Sequence, residues 1–214
     1  MAMLSPSVLT ADFLELKDRL KEFEKCGVDM LHMDVMDGIF VPNISFGAPL
    51  IKSVKKHTTL PMDVHLMIDR PDRYIDDFSE CADILGFHFE AGSDVAATLE
   101  KIRGKGIKSC LTIKPCTEPE KIFEFLPLCD MVLVMSVEPG FGGQKFMPSA
   151  LEKLKRLKTE ISRTGLDCLL EVDGGINKET APMAVAAGAD VLVAGSYVFN
   201  SSDIAATVGA IKAL

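Results

Sequence analysis

The chain has 214 residues, of which 48% are hydrophobic and 25% are charged, so it is long enough to bury one large core. Its formal net charge of −8 argues against a nucleic-acid partner, for which a clustered basic surface is expected. No apolar run reaches the roughly 18 residues of a membrane span, and the start lacks a signal-peptide pattern, so we expect a cytoplasmic protein without a membrane partner.

Short apolar runs alternate with longer amphipathic segments along the whole chain. The predicted strands are Met3–Leu9, Met30–Val35, Met62–Ile68, Ile84–Phe89, Ser109–Ile113, Met131–Val137, Cys168–Val172 and Val191–Ala194. The predicted helices are Leu14–Cys26, Leu50–Lys56, Arg73–Glu80, Val95–Lys105, Pro119–Phe125, Ala150–Thr164, Lys178–Ala187 and Ile204–Leu214.

Eight strand–helix units predict an α/β fold, the (β/α)8 TIM barrel. An open doubly wound sheet is the alternative, because periodicity alone does not show that the sheet closes. No linker or low-complexity stretch interrupts the pattern, so residues 1–214 are predicted to form a single domain.

Polar residues occur at the ends of several predicted strands, where a barrel of this kind carries its chemistry. His32 and Asp34 end the second strand, His65 lies near the end of the third, and Asp173 follows the seventh. Buried parallel strands are normally apolar, so these four side chains indicate a bound divalent metal ion. Imidazole and carboxylate ligands favour zinc, iron, manganese or cobalt over magnesium or calcium. His88, on the fourth strand, fits either a core residue or a group behind the metal ligands.

Glycines are concentrated in three segments that follow the last strands. The segment after the sixth strand is Glu138–Gln144, which contains Gly140, Phe141, Gly142 and Gly143. The two others contain Gly174, Gly175, Gly195 and Ser196. Glycines let backbone N–H groups approach an anion, and the loops after strands seven and eight commonly bind phosphate in this fold. These segments therefore predict a phosphorylated ligand, with 138–144 also able to close as a lid.

Three methionines lie at or just beyond strand ends, facing the same mouth of the predicted barrel. They are Met36, Met67 and Met135. An uncharged, polarisable wall would tolerate delocalised negative charge on a ligand, although core packing explains the same pattern.

Six segments carry motifs of a known family: Ser7–Phe13, His32–Gly38 with Val41–Asn43, His65–Met67, Met135–Phe146, Glu171–Gly175 and Val193–Ser196. Together they resemble the ribulose-phosphate 3-epimerase family over nearly the whole chain. The resemblance implies that His32, Asp34, His65 and Asp173 bind one divalent metal ion, and that Asp34 and Asp173 are also the catalytic acid and base. It implies substrate contacts from Ser7, Met36, His65, Met67, Met135, Gly140, Phe141, Gly142, Gly143, Asp173, Gly174, Gly175, Gly195 and Ser196.

The implied activity is that of an isomerase of the pentose phosphate pathway, which inverts C3 of D-ribulose 5-phosphate to give D-xylulose 5-phosphate. Two carboxylates would remove a proton from one face of the sugar and return one to the other face, through an enediolate. The resemblance also implies a homo-oligomer, since relatives form dimers or hexamers.

Three alternatives stay open at this point. A hexulose phosphate such as allulose 6-phosphate could use the same site. Lys114, where the family usually has Asn before Pro115, could form a Schiff base with a keto sugar, as in aldolases. A non-catalytic phosphosugar-binding protein is the third, but the presence of both Asp34 and Asp173 favours proton transfer.

Overall fold

Eight parallel strands form the centre of the protein, which a computed structural model describes over residues 1–214. The strands are β1 (Met3–Ser5), β2 (Leu31–Met36), β3 (Met62–Met67), β4 (Ile84–His88), β5 (Lys108–Ile113), β6 (Met131–Met135), β7 (Leu169–Asp173) and β8 (Val191–Val193). They pair in the order β1-β8-β7-β6-β5-β4-β3-β2. Between β1 and β2 the barrel closes through one bridge, Ser7 to His32, and a hydrogen bond from the His32 N–H to the Pro6 carbonyl. The predicted (β/α)8 barrel is confirmed.

Helices follow the strands and cover the outside of the barrel. The α-helices are α1 (Leu16–Cys26), α2 (Ala48–Lys55), α3 (Ile75–Phe78), α4 (Val95–Gly104), α5 (Ser149–Thr164), α6 (Thr180–Ala186), α7 (Ser196–Phe199) and α8 (Ile204–Lys212). In α5 the buried positions Ala150, Leu154, Leu157 and Ile161 recur every three or four residues, which places one apolar face against the sheet. None of the helices is long and apolar enough to cross a membrane.

The first strand is shorter than predicted. It ends at Ser5 instead of Leu9, and a 3₁₀-helix follows at Val8–Thr10. Pro6 has no N–H for a ladder, and the Ser7 hydroxyl accepts a hydrogen bond from the Leu9 N–H, which starts the helical turn. Ser7 therefore lies in a turn beyond the strand.

Two predicted α-helices are also different. The segment predicted as Pro119–Phe125 is a 3₁₀-helix over Pro119–Leu128 with Pro127 inside it, and proline cannot donate to an α-helical ladder. The segment predicted as Arg73–Glu80 divides into a 3₁₀-helix, Pro71–Arg73, and the four-residue α3. Helix α7 was not predicted, because four residues carry too little periodicity to be recognised.

The alternation along β2 decides which side chains enter the barrel. Leu31, Met33 and Val35 belong to the large core between strands and helices. Successive side chains of a strand point to opposite faces, so His32 and Asp34 point into the barrel interior. The site is thus positioned by strands whose other face is anchored in the core.

Candidate active site

Strand register brings the predicted metal ligands together. In the β2–β3 ladder, Asp34 lies opposite His65 and Met36 lies opposite Met67. In the β6–β7 ladder, Met135 lies opposite Asp173, which is the last residue of β7. Parallel strands that carry polar residues at the same height therefore form one ring at the carboxyl end of the barrel.

The ring contains a compact group of potential metal ligands. One ligand atom from each of His32, Asp34, His65 and Asp173 lies within 4.8 Å of the others. His65 Nδ1 is 3.3 Å from both Asp34 Oδ1 and His32 Nε2. Two imidazoles and two carboxylates that face one point can hold a single divalent cation, and this donor set suits zinc and its transition-metal neighbours.

The two carboxylates of this group have opposite pKa shifts. Burial alone would raise the pKa of Asp34, but His32 and His65 outweigh it and hold that pKa well below its ordinary value. Burial and the neighbouring Asp34 carboxylate raise the pKa of Asp173 to about 7. Asp34 is therefore ionised in the metal-free protein at neutral pH, while Asp173 retains a proton for part of the time.

Two buried acids that sequence reasoning missed lie behind His32. Asp63 Oδ2 accepts a hydrogen bond from His32 Nδ1 over 2.6 Å, and Glu171 Oε1 is 3.8 Å from the same nitrogen. Neither oxygen of Glu171 has a hydrogen-bond partner, and burial together with Asp63 raises its pKa well above the ordinary value. The signal that could have found them is spacing, because each acid precedes a predicted ligand, His65 or Asp173, by two residues and so shares its face.

Another pair lies behind His65. His88 Nε2 is 2.9 Å from His65 Nε2, and His88 Nδ1 is 3.3 Å from Glu90 Oε2. Burial lowers the pKa of His88 to about 4, so this imidazole is neutral at physiological pH. Of the two sequence-based interpretations of His88, the structure favours the group behind the metal ligands.

An open cavity of about 540 Å³ lies above the ring, and Asp34 and Asp173 reach its wall. The Ser7 hydroxyl donates to Asp34 Oδ2 over 2.5 Å. His32 and His65 do not line this cavity, because their rings are buried below the carboxylates. The other sequence-predicted residues that line it are Ser7, Met36, Met67, Met135, Gly140, Phe141, Gly142, Gly143, Gly174, Gly175, Gly195 and Ser196.

The two glycines after β7 occupy positions that no larger residue fits without rearrangement. Gly175 has φ +63°, and a Cβ at this position would collide with the backbone of Phe146. Gly174, at φ +121°, would meet the Val137 side chain at 2.5 Å. Both glycines line the cavity, and neither has a Cβ that would keep an anion from the backbone of this turn.

The segment Glu138–Gln144 forms one rim of the cavity and contacts the opposite rim. Asn43 Nδ2 donates to the Gly140 carbonyl over 2.7 Å. Within the segment, Gln144 Nε2 donates to the carbonyls of Glu138 and Phe141. Phe141 is 55% exposed and stands at the lip of the cavity. The segment has the position expected of a lid.

Lys114 does not line this cavity. Its Nζ lies 3.8 Å from the centre of the Phe40 ring, and the residue is absent from the cavity wall. A Schiff base at Lys114 would require that cation–π contact to break and the side chain to turn.

Comparison with known proteins supports one family. A profile of the Ribulose-phosphate 3 epimerase family matches residues 3–199. The ribulose-phosphate 3-epimerase of Bacillus subtilis is 48% identical over 205 residues, covering 95% of this chain and 94% of that protein. The one from Methanocaldococcus jannaschii is 45% identical over 208 residues, covering 97% and 88%.

More distant solved structures share the fold alone. A 3-hexulose-6-phosphate synthase is 20% identical with a TM-score of 0.66, covering 99% of this chain and 96% of that one. The orotidine 5'-phosphate decarboxylase of Pyrococcus horikoshii is 16% identical with a TM-score of 0.67, covering 99% and 97%. The family match and the similarity to curated epimerases extend over nearly the whole chain, so this protein is an isomerase and belongs to the ribulose-phosphate 3-epimerase family.

Proposed function

We propose that this protein is a metal-dependent epimerase that interconverts D-ribulose 5-phosphate and D-xylulose 5-phosphate. The observation that carries the proposal is the pair of carboxylates, Asp34 on β2 and Asp173 on β7, that reach one cavity from different strands. Inversion at a carbon next to a ketone requires one group on each face of the substrate, and these two residues supply them.

The residues divide the reaction between them. An ionised Asp34 accepts the C3 proton from one face, and a protonated Asp173 donates to the other face, with the roles exchanged in the reverse direction. Ser7, whose hydroxyl donates to Asp34, orients that carboxylate. The buried sulfur wall of Met36 and Met67 keeps water from the enediolate between the two proton transfers.

His32, Asp34, His65 and Asp173 would hold the metal, which is zinc, iron, manganese or cobalt. When bound, a divalent ion supplies Lewis-acid polarisation of the substrate carbonyl and offsets the charge that develops on its oxygens. Backbone N–H groups around Gly142, Gly175 and Gly195 would donate hydrogen bonds to the phosphate, because these residues have no side chain to keep it from the backbone.

A coupled assay tests the activity. Protein loaded with each candidate metal is given D-ribulose 5-phosphate or allulose 6-phosphate in deuterated water, and product and C3 deuterium are measured. We expect xylulose 5-phosphate with deuterium at C3, and a loss of about 100-fold or more for Asp34→Asn or Asp173→Asn. The matched control is Asp167→Asn, which changes an exposed carboxylate outside the cavity.

Each remaining outcome contradicts part of the proposal. Neither exchange nor product with any divalent ion would refute the epimerase activity. Turnover of allulose 6-phosphate alone would assign a hexulose phosphate epimerase, and binding without turnover would assign a phosphosugar-binding protein.

Elemental analysis tests the metal site separately from activity. The wild-type protein should retain close to one divalent ion per chain after dialysis, and His65→Ala and Asp173→Asn should lose it. Unchanged metal content in both variants would refute the ligand set.

A further inference from the structure

A row of hydrogen bonds runs from the metal-ligand group to a polar turn after β5. His65 Nε2 is 2.9 Å from His88 Nε2, and His88 Nδ1 is 3.3 Å from Glu90 Oε2. Both imidazole rings are at most 1% exposed, so neither has water as an alternative partner. None of the proton-transfer chemistry derived above uses His88 or Glu90.

The Glu90 carboxylate is held from its other side by donors. Its Oε1 accepts hydrogen bonds from the Lys114 N–H and from the Thr117 hydroxyl. That turn is itself fixed by Lys153, a buried lysine whose ammonium group donates to the carbonyls of Lys114, Pro115 and Thr117. Glu90 thus has a fixed position, with Oε2 left free to face His88.

These partners determine which atom donates and which accepts in each hydrogen bond of the row. A carboxylate can only accept, so His88 must carry its proton on Nδ1 and donate it to Glu90. The lone pair of His88 is then on Nε2, where it can accept only from a proton on His65 Nε2. His65 is left with its lone pair on Nδ1, and this is the atom that lies 3.3 Å from both His32 Nε2 and Asp34 Oδ1.

We propose that Glu90 and His88 are positioning residues that fix the Nε2–H tautomer of His65, so that Nδ1 is the nitrogen presented to the metal. The inference rests on the metal site proposed above. Neither residue lines the cavity, so both act through His65 without touching the substrate. Partners of this kind set the ring orientation and basicity of a metal-binding histidine, and their loss typically weakens metal binding by 10–100-fold.

Nitrogen-15 NMR of the histidine side chains reads the tautomer directly. In metal-free wild-type protein at neutral pH, we expect long-range proton–nitrogen spectra to show His65 with its proton on Nε2 and His88 with its proton on Nδ1. The zinc-loaded protein should keep both protons and show zinc on His65 Nδ1. Protonation of His65 on Nδ1 in the metal-free protein, or zinc on Nε2, would overturn the proposal.

The substitution Glu90→Gln keeps the shape of the side chain but replaces the oxygen that accepts from His88 with an NH₂ group that donates. The amide oxygen should keep the Lys114 and Thr117 hydrogen bonds, which turns the NH₂ group toward His88 and drives His88 and His65 to the opposite tautomers. We expect a 10–100-fold higher dissociation constant for Zn²⁺ by competition titration, and His65 protonated on Nδ1 in the metal-free variant. Glu100→Gln, an equal charge change at an exposed position of α4, should match wild type.

The outcomes separate this inference from the proposed function. Glu90→Gln that binds Zn²⁺ like Glu100→Gln, with an unchanged His65 tautomer, would overturn the positioning role while the epimerase proposal stands. If the wild-type protein binds no divalent ion, the proposed metal site is refuted. The tautomers of His65 and His88 in the metal-free protein would still show whether His88 fixes the proton of His65 on Nε2. If Glu90→Gln fails to fold, His88→Phe, which keeps a buried ring but removes the acceptor, replaces it with the same expected loss of affinity.

Discussion

Asp63 shows how a single buried residue can organise the site without reaching the cavity. Its carboxylate accepts from His32 Nδ1 and therefore leaves Nε2 to face Asp34 and His65. Burial would lower the pKa of His32, but Asp63 and Asp34 outweigh this and raise it well above its ordinary value. With this raised pKa, His32 carries a proton on both ring nitrogens in the metal-free protein. A divalent cation bound among these ligands would replace the proton on Nε2.

Asp63→Asn should weaken metal binding by about 10–100-fold, because a neutral amide no longer fixes the His32 ring or favours its ligand lone pair. Competition titration with Zn²⁺ measures the change. Asp167→Asn removes an exposed carboxylate and provides the control. Equal dissociation constants for the two variants would contradict the role of Asp63.

Gly175→Ala should impair substrate binding beyond the cost of its backbone conformation. Alanine at a left-handed position costs roughly 1–2 kcal/mol wherever it occurs, but here its Cβ would also displace the Phe146 backbone at the cavity rim. We expect at least about a tenfold fall in kcat/KM, which corresponds to about 1.4 kcal/mol. Gly27→Ala, at φ +78° with nothing near its Cβ, should lose stability but keep wild-type kinetics. Wild-type kinetics in Gly175→Ala would refute the assignment of this turn to the ligand.

At the scale of elements, the strands were more predictable than the connections between them. The alternation of apolar and polar residues along β2 and β3 follows directly from the two-residue period of a strand, and it identified His32, Asp34 and His65. The predictions for the helical segments near Pro71 and Pro127 were wrong in helix type or in extent, because local hydrogen bonding there overrides the amphipathic pattern. The spacing of Asp63 and Glu171 from the predicted ligands places them on the same strand face, but only the structure shows that both lie beside His32.

The connection after β2 is attached to the connection after β6 by the hydrogen bond from Asn43 to the Gly140 carbonyl. The variant Asn43→Asp tests the effect of this attachment. The aspartate can still accept from the Ile44 N–H, as Asn43 does, but it has no donor for the Gly140 carbonyl. We expect faster hydrogen exchange in residues 138–144 and a several-fold higher KM, because the segment loses its attachment to the opposite rim. Exchange rates equal to those of wild type would contradict a lid held by Asn43.

At the scale of the whole molecule, the hydrogen-bonded row behind His65 stabilises the fold near neutral pH, and this contribution is lost in acid. Burial would raise the pKa of Glu90, but hydrogen bonds from His88, Thr117 and the Lys114 N–H outweigh it and lower the pKa to about 2. A depressed pKa stabilises the fold above the unfolded-state value near 4.5, and this contribution disappears as the pH falls toward 2.

Glu90→Gln should therefore lower the free energy of unfolding by roughly 1–3 kcal/mol at pH 7. The difference from wild type should shrink steadily as the pH falls below about 4.5. Urea unfolding at pH 7, 5, 4 and 3 measures it. A difference that stays constant over this range would show that the ionised carboxylate is not its source.

The sequence by itself indicated the eight strand–helix units, the strand ends at which the chemistry occurs and the four candidate metal ligands, because strand periodicity and unusual polar residues are local signals. Only the structure showed that the sheet closes into a barrel. Tertiary structure alone decided how these residues meet: Asp63 lies at Nδ1 of His32 and His88 lies at Nε2 of His65, so the remaining nitrogens, His32 Nε2 and His65 Nδ1, face each other over 3.3 Å. It also decided that the two imidazoles are buried outside the cavity lining that both carboxylates reach, and that Lys114 lies over the Phe40 ring and does not line the cavity. Hydrogen-bond direction and relative depth depend on contacts between strands distant in the chain, and no single segment of sequence encodes them.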